Sequence, residues 1–477
     1  MSGRSLALGA GLAAALMAAS SWSIGAVPVG WQPAYKWIAW PAYYVGLAAC
    51  ISAWLLLGRR VLAADRPPLA ARDVRRFVIC SAAPLLVAAP FGRDLWAYAA
   101  QGHLVGHGLD PYDHAPVDVP GPFTDEVSSR WVHTPAPYGP VWLRLSQLAA
   151  WSAHGHPTVA VLVLRLPAFL GLLMCCWAIT RLAERLGGRA DVALWLGAAS
   201  PLMSVLGVGG GHNDLLMLGA ALAGLAVASR PGRANLALGA AIAAVGVLVK
   251  SPAAVAVAFT VPVWLHTRGG RDSMRQLLAA GAIALGAALA TLAAITASSG
   301  LGLGWTTQVN ADAQWVSWLS LPSAAAMLGK AVTGSSHPRE LDDTLRACRT
   351  VGEVVAVVIL VALWVLATSR AARSSARSPI GPVAAAFGVA ALLGPSVQPW
   401  YYLWGLTVAG LAVSGRDALA LLACVPLMFA VMITPSGFGW ESGWGAPVVI
   451  VGAVLVTWTA LRRDLQAVGS TGAPLPG

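Results

Sequence analysis

"GRDLWAYAAQGHLVGHGLDPY", residues 92–112, follows directly on the apolar run from Phe77 to Pro90. It sets Arg93 and Asp94 side by side at the mouth of that run, in a chain of which only 11% is charged. A soluble domain carries about 25% charged residues. Here 57% of the residues are hydrophobic and the mean hydropathy is +0.68. The sequence is that of an integral membrane protein, and the quoted stretch marks the point where a spanning segment gives way to polar chemistry.

Outward from that stretch the same pattern repeats. A spanning helix needs about 20 mostly apolar residues. Hydropathy gives roughly fourteen candidates separated by short polar joints. They lie near 6–26, 37–57, 76–91, 158–180, 193–210, 214–229, 234–250, 252–266, 277–297, 351–369, 381–396, 403–413, 418–433 and 446–461. Several are short, so the expected fold is all-α and polytopic with 12–14 transmembrane helices. The first, preceded by Arg4, could be a cleaved signal peptide. A second apolar segment follows closely without a convincing cleavage site, which favours a retained span. No internal repeat or soluble domain is visible, so residues 1–477 read as one membrane domain, and "QAVGSTGAPLPG" at 466–477 reads as a disordered end.

A net charge of +11 could suggest nucleic acid, but its distribution excludes that reading. Of the 31 Lys and Arg, 21 gather in alternate joints, among them Arg59, Arg60, Arg72, Arg181, Arg185 and Arg268. The positive-inside rule places those joints in the cytoplasm. The remaining joints then face outward, and they hold every unusual polar motif. These are the opening stretch with "RWVHTPAPYGP" (130–140), "GGGHND" (209–214), "KSP" (250–252), "TTQVNADAQWVSW" (306–318), "QPWYY" (398–402) and "GFGWESGWG" (437–445). Clustering on one face argues for a single extracytoplasmic site. Two outer segments, 91–157 and 298–350, exceed the length of ordinary connections and read as ordered caps on the bilayer. The six cysteines show no metal-ligand spacing and read as small buried hydrophobes.

If residues 93–102 form a short helix, Asp94, Tyr98 and Gln101 share one face and Phe91, Leu95 and Gly102 the other. The helix then lies in the interface with its polar face on an aqueous cavity. Asp94 fits a helix cap paired with Arg93; it also fits a general base, since partial desolvation raises a carboxylate pKa. "TPAPYGP", with Tyr138, is a rigid segment suited to holding polar groups over a cavity.

The motifs "GRDLWAYAAQG" with "GLDPY", "TPAPYGP", "GHNDLLMLG", "KSPA" and "QPWYYLWGL" resemble, in order and over residues 92–409, those of the GT-C membrane glycosyltransferases. Within that class they are similar to the actinobacterial polyprenol-phosphomannose-dependent α-1,6-mannosyltransferases of lipomannan assembly. The resemblance implies a polyprenyl phosphate sugar donor, a mannan or lipoglycan acceptor, chemistry on the extracytoplasmic side of the plasma membrane, and Asp94 as catalytic base. No cofactor is implied.

In such a reaction the base deprotonates an acceptor hydroxyl that displaces polyprenyl phosphate, and a β-linked donor gives an α product. Cations must meet the departing phosphate. Intramembrane Lys250 and Arg165 are candidates by default, against snorkelling for Lys250 and an ion pair for Arg165. Arg93 and His212 could also reach the phosphate, as could Arg130 from the loop. Asn213 and Asp214 fit either a helix cap or contacts to the sugar, with Asp214 the rival base. Gln398, Trp400 and Tyr401 fit sugar stacking and edge hydrogen bonds, or the interfacial aromatic belt. The acids form no D-x-D pair, so no metal is expected. Competing readings are a GT-C enzyme for another polyprenyl phosphate sugar, such as arabinofuranose, and a lipid-linked substrate transporter or flippase.

Overall fold

The computed structural model describes residues 2–31, 35–63, 69–268, 273–308, 316–333, 342–373, 378–438 and 445–462. Residues 309–315 of the tryptophan-rich motif, 439–444 of "GFGWESGWG" and the C-terminal tail lie outside them.

The described chain is almost wholly helical, as a run of Ala, Leu and Val in hydrocarbon must be, because only a helix satisfies every backbone group within its own segment. In order the helices are α1 (Gly3–Ile24), α2 (Lys36–Leu62), α3 (Ala71–Ala82), α4 (Asp94–Gly106), α5 (Pro122–Asp125), α6 (Pro140–Ser152), α7 (Pro157–Leu186), α8 (Ala190–Leu196), α9 (Asp214–Ala228) and α10 (Arg233–Val247). They continue with α11 (Ala254–His266), α12 (Met274–Ser299), α13 (Trp305–Gln308), α14 (Leu321–Thr333), α15 (Asp343–Arg373), α16 (Ile380–Leu392), α17 (Tyr402–Ala412), α18 (Arg416–Ala430) and α19 (Gly445–Arg462). A two-residue antiparallel pair, β1 (Ile433–Thr434) with β2 (Gly437–Phe438), is the one departure from the expected all-helical fold among the described residues.

Every apolar segment read from the sequence is helical, but length and composition qualify only five described helices as crossings: α1, α2, α7, α12 and Asp343–Ser369 of α15. A sixth arises if the π-helix Met203–Gly209 and α9, bent by 110°, count as one broken span. Two expected continuous spans are interrupted. At 76–91, α3 passes into a 3₁₀ turn, Ala83–Val87, with Pro84 at its start. At 193–210, α8 ends at Gly197, and Pro201 precedes the π-helix. Proline supplies no amide hydrogen and clashes with the preceding turn.

Small residues set the packing. A Cβ on Gly219 would stand 2.6 Å from the Gly171 carbonyl oxygen. Only glycine lets α7 and α9 approach so closely, the usual basis of tight helix association in lipid. Trp54 of α2 and Trp195 of α8 stack at 5.4 Å, and each indole N–H donates to the other's carbonyl, at 2.9 and 3.1 Å. The indoles therefore fill the core without leaving a polar atom unmatched.

The first long segment, 91–157, folds as α4, α5 and α6 with their connections. It touches the second through Gln308, whose amide donates to the Tyr112 carbonyl at 2.9 Å. The second is fixed to the chain ahead of α17 by Ser317 and Ser320, whose hydroxyls donate to the carbonyls of Val397 and Gly394.

Candidate active site

At the start of α4 the chain is held from several sides. Gly92 has a φ of +118° and lies against Gly437 of the hairpin. The Arg93 guanidinium donates to Glu126 Oε2 at 3.0 Å and to the carbonyls of Glu126 and Val27. The Glu126 carboxylate also accepts the Val29 amide at 2.7 Å. Arg93 is thus matched by Glu126 and not by Asp94, which corrects the expected Arg93–Asp94 pair. Its guanidinium still borders the cavity described next, but its charge is already neutralised and its donors tie three segments together.

Asp94 is the first residue of α4, and its carboxylate makes no capping bond to the backbone. It forms part of the wall of a cavity of about 340 Å³. A quarter of its side chain is open, toward that cavity, and the rest is buried. Desolvation therefore raises its pKa above the ordinary carboxylate value. The opposing influences are the Trp131 indole, which donates to Oδ1 at 3.0 Å, and the positive charges of Lys250 and Arg130. The second oxygen, Oδ2, lies 3.7 Å from His212 Nδ1.

His212 is presented by the break between the π-helix and α9. Gly211 there has a φ of +64°, and a Cβ would meet Leu95 Cδ2 at 2.5 Å. The glycine run of "GGGHND" thus makes a turn that packs onto α4 and aims the imidazole toward Asp94. Its ring stacks on Trp400 at 3.7 Å with an interplanar angle of 19°. The buried His212 Nδ1 and Trp400 Nε1 make no hydrogen bond within the described chain. Two buried polar atoms without protein partners beside a cavity are placed to meet a ligand or water there.

Lys250 stands in the extended residue between α10 and the next helical turn, where "VKSP" breaks the apolar run. It does not snorkel. Its ammonium donates to Asp214 Oδ2 at 2.9 Å and Oδ1 at 3.1 Å, and to the Tyr401 hydroxyl at 3.2 Å, and lies 4.3 Å from the Tyr401 ring centroid. Asp214 also accepts the Trp404 indole N–H at 2.9 Å. Both its oxygens are occupied and it does not line the cavity, so it is unsuited to the rival role of base.

Of the other sequence candidates, Tyr98, Tyr138, Gln398, Trp400 and Tyr401 line the same cavity. Tyr98 meets Tyr138 edge-on at 5.2 Å. Gln101 does not line that cavity; it faces a small void that it shares with Asp94, Trp131 and Tyr138, with Oε1 unmatched. Asn213 is fully buried, its amide bonds nothing in the described chain, and it provides no cap to α9.

Arg165 needs a correction. It is completely buried in α7, away from the cavity. Its guanidinium donates to the Gly209 carbonyl at 3.0 and 2.9 Å and to those of Ala88 and Leu86 at 2.6 and 3.4 Å. It makes no ion pair among the described residues. Arg165 instead satisfies carbonyls freed where the 3₁₀ turn and the π-helix end. Sequence reasoning assigned no role to Trp131 or Trp404, each the donor to one of the two site carboxylates.

The arrangement offers a desolvated carboxylate, cationic groups across one cavity and aromatic walls. It suits proton abstraction from a hydroxyl beside a departing anion, with sugar rings against the aromatic faces. Residues 3–266 match a family profile described as "Alpha-(1->6)-mannopyranosyltransferase, N-terminal domain", and residues 322–463 match "MptB C-terminal domain". The chain is 34% identical over 437 residues to alpha-(1->6)-mannopyranosyltransferase A of Mycobacterium tuberculosis, covering 89% of this chain and 82% of that protein. It is 29% identical to the protein of the same name from Corynebacterium glutamicum, covering 87% of each. It is 28% identical to alpha-(1->6)-mannopyranosyltransferase B of that organism, over 80% of this chain and 67% of the relative.

Proposed function

The chain belongs to the alpha-(1->6)-mannopyranosyltransferase family, and from that premise we propose that it transfers mannose from a polyprenyl phosphate mannose to a glycan or lipoglycan acceptor on the extracytoplasmic side. The single observation that carries this reading is Asp94: a carboxylate with raised pKa on the wall of a cavity whose other walls bring Lys250, Arg130 and His212.

In the proposed step Asp94 accepts the proton of an acceptor hydroxyl. The hydroxyl oxygen bonds to the anomeric carbon as the carbon–oxygen bond to phosphate breaks, and the lipid phosphate leaves with the bonding pair. A single displacement on a β-linked donor yields the α linkage. Trp131 holds Oδ1 and leaves Oδ2 to the incoming proton. Lys250, Arg130 and His212 face the charge that grows on the phosphate, and the faces of Trp400 and Tyr401 suit the sugar ring. Positioned charge in a water-poor site is worth far more than in solvent. No metal enters the step.

The test is transfer by purified protein in liposomes, offered polyprenyl phosphate mannose or polyprenyl phosphate arabinofuranose with an α-1,6-linked mannan acceptor. Mannose alone is expected to be transferred, and Asp94→Asn is expected to slow it by about 10²–10⁴-fold, the usual contribution of a general base. Transfer of arabinofuranose, or full activity in Asp94→Asn, would overturn the reading. Sidedness is checked by labelling Asp113→Cys and Glu184→Cys with a membrane-impermeant maleimide in intact cells, beside the unsubstituted chain. Only the first, in the exposed part of the 91–157 segment, should react.

A further inference from the structure

A second and larger cavity, about 450 Å³, opens on the other side of α4 from Asp94, between α4 and α6. Gly106 leaves its floor open, with nothing near the position a Cβ would take, whereas Gly102 lets α4 press onto the α6 backbone at Ser146. His103 and His107 border it from α4, Trp151 from α6, and Arg144 and Gln147 add polar groups. It lies at the same end of the bundle as the first cavity. Arg144 reaches the last residue of α12, Ser299, and the residue before α6, Gly139, bonds Val249 beside Lys250. At 1.5 Å per residue, positions 102–107 stand on the order of 12–20 Å along α4 from Asp94.

The polar groups suit a neutral polyol better than an anion. The Arg144 guanidinium is already engaged, donating to the Ser299 carbonyl and to Gln147 Oε1. That bond leaves the Gln147 amide N–H groups, and two guanidinium N–H groups, for a ligand. His107 Nδ1 stands 2.9 Å from the His103 carbonyl, so it donates there and Nε2 is left for a ligand. His103 packs flat on Phe123 at 4.3 Å and edge-on to His107 at 4.4 Å. Burial, and secondarily the neighbouring His107, lower its pKa, so at neutral pH the His103 ring is uncharged. Trp151 is 72% exposed and offers an open aromatic face. Mixed donors and acceptors beside such a face are what a sugar presents itself to. A phosphate would find one committed cation.

We propose that this groove is a distal subsite for a neutral glycan, gripping the acceptor chain several sugar units from the hydroxyl that reacts at Asp94. The proposal rests on the transferase reading above for the identity of the glycan. The test measures equilibrium binding of α-1,6-linked mannooligosaccharides of increasing length to the unsubstituted protein, to Asp94→Asn, and to Trp151→Ala and His107→Ala. Both groove side chains are exposed, so their removal leaves the packing intact. Affinity is expected to rise with length in the unsubstituted protein and in Asp94→Asn. In Trp151→Ala the longer chains should bind about tenfold more weakly, the scale of one lost aromatic contact, with the shortest unaffected. Unchanged length dependence in both groove variants, or displacement of the long chain by glycerol phosphate, would overturn the proposal. Because binding is read without turnover, a failure of transfer with length dependence intact would count against the transferase reading alone.

Discussion

Trp131→Phe is the substitution that probes the proposed base most directly. The indole donates to Asp94 Oδ1 at 3.0 Å, and phenylalanine keeps an aromatic ring while deleting the donor. A hydrogen bond to a charged acceptor contributes about 1.5–3 kcal/mol. One pKa unit corresponds to about 1.36 kcal/mol, so the loss should raise the Asp94 pKa by about one to two units. The sign is fixed by the site: burial holds the pKa up and Trp131 acts against it, so removing Trp131 lets it climb further. A base works only when ionised. The acid limb of kcat/KM against pH should therefore move to higher pH by that amount, with the alkaline limb unmoved, and activity lost at neutral pH should return as pH is raised. Initial rates of mannosyl transfer across the pH range decide it. An acid limb that stays in place while rates fall uniformly would show Trp131 to be packing alone, and a limb moving to lower pH would refute the reasoning outright.

The same desolvation makes a stability prediction. With a folded pKa above the unfolded value, the native state holds more protons in that window, so Asp94 costs stability as pH rises through it. Asp94→Asn should accordingly raise Tm at neutral pH, and a differential scanning measurement that finds it lowered contradicts the burial argument. Arg165→Gln should unfold the protein at lower temperature, since each buried carbonyl left without a donor costs about 1–3 kcal/mol; donor affinity in the surviving fraction should be unchanged. Lys250→Met leaves Asp214 charged and unmatched, at about 3–5 kcal/mol for a buried pair. Adding Asp214→Asn should restore Tm without restoring transfer, whereas recovered turnover would remove Lys250 from the chemistry.

The helices were legible because hydrocarbon leaves the backbone one choice, so apolar length alone locates α1, α2, α7, α12 and their neighbours. Convergence on one cavity was legible from Asp94, His212, Lys250 and Gln398, polar groups costly enough in that setting to stand out. Arg165 was misread for the same reason: an intramembrane cation stands out, but its partners are carbonyls, and every residue has one. Which carbonyls are orphaned depends on how the 3₁₀ turn and the π-helix end, and no residue type records that. Trp131 and Trp404 escaped notice among 21 tryptophans, since interfacial anchoring predicts the same residue. The pairing of Asp214 with Lys250 joins positions 36 apart across helices whose register only packing determines.

That pairing bears on how a catalytic cycle ends. The ammonium reaches a newcomer already balanced by a resident carboxylate, so any phosphate entering the cavity meets a competitor for it. Two anions dividing one counter-charge bind less firmly than one would alone. If the departing group is the lipid phosphate proposed above, that pocket holds it loosely and is built to let go.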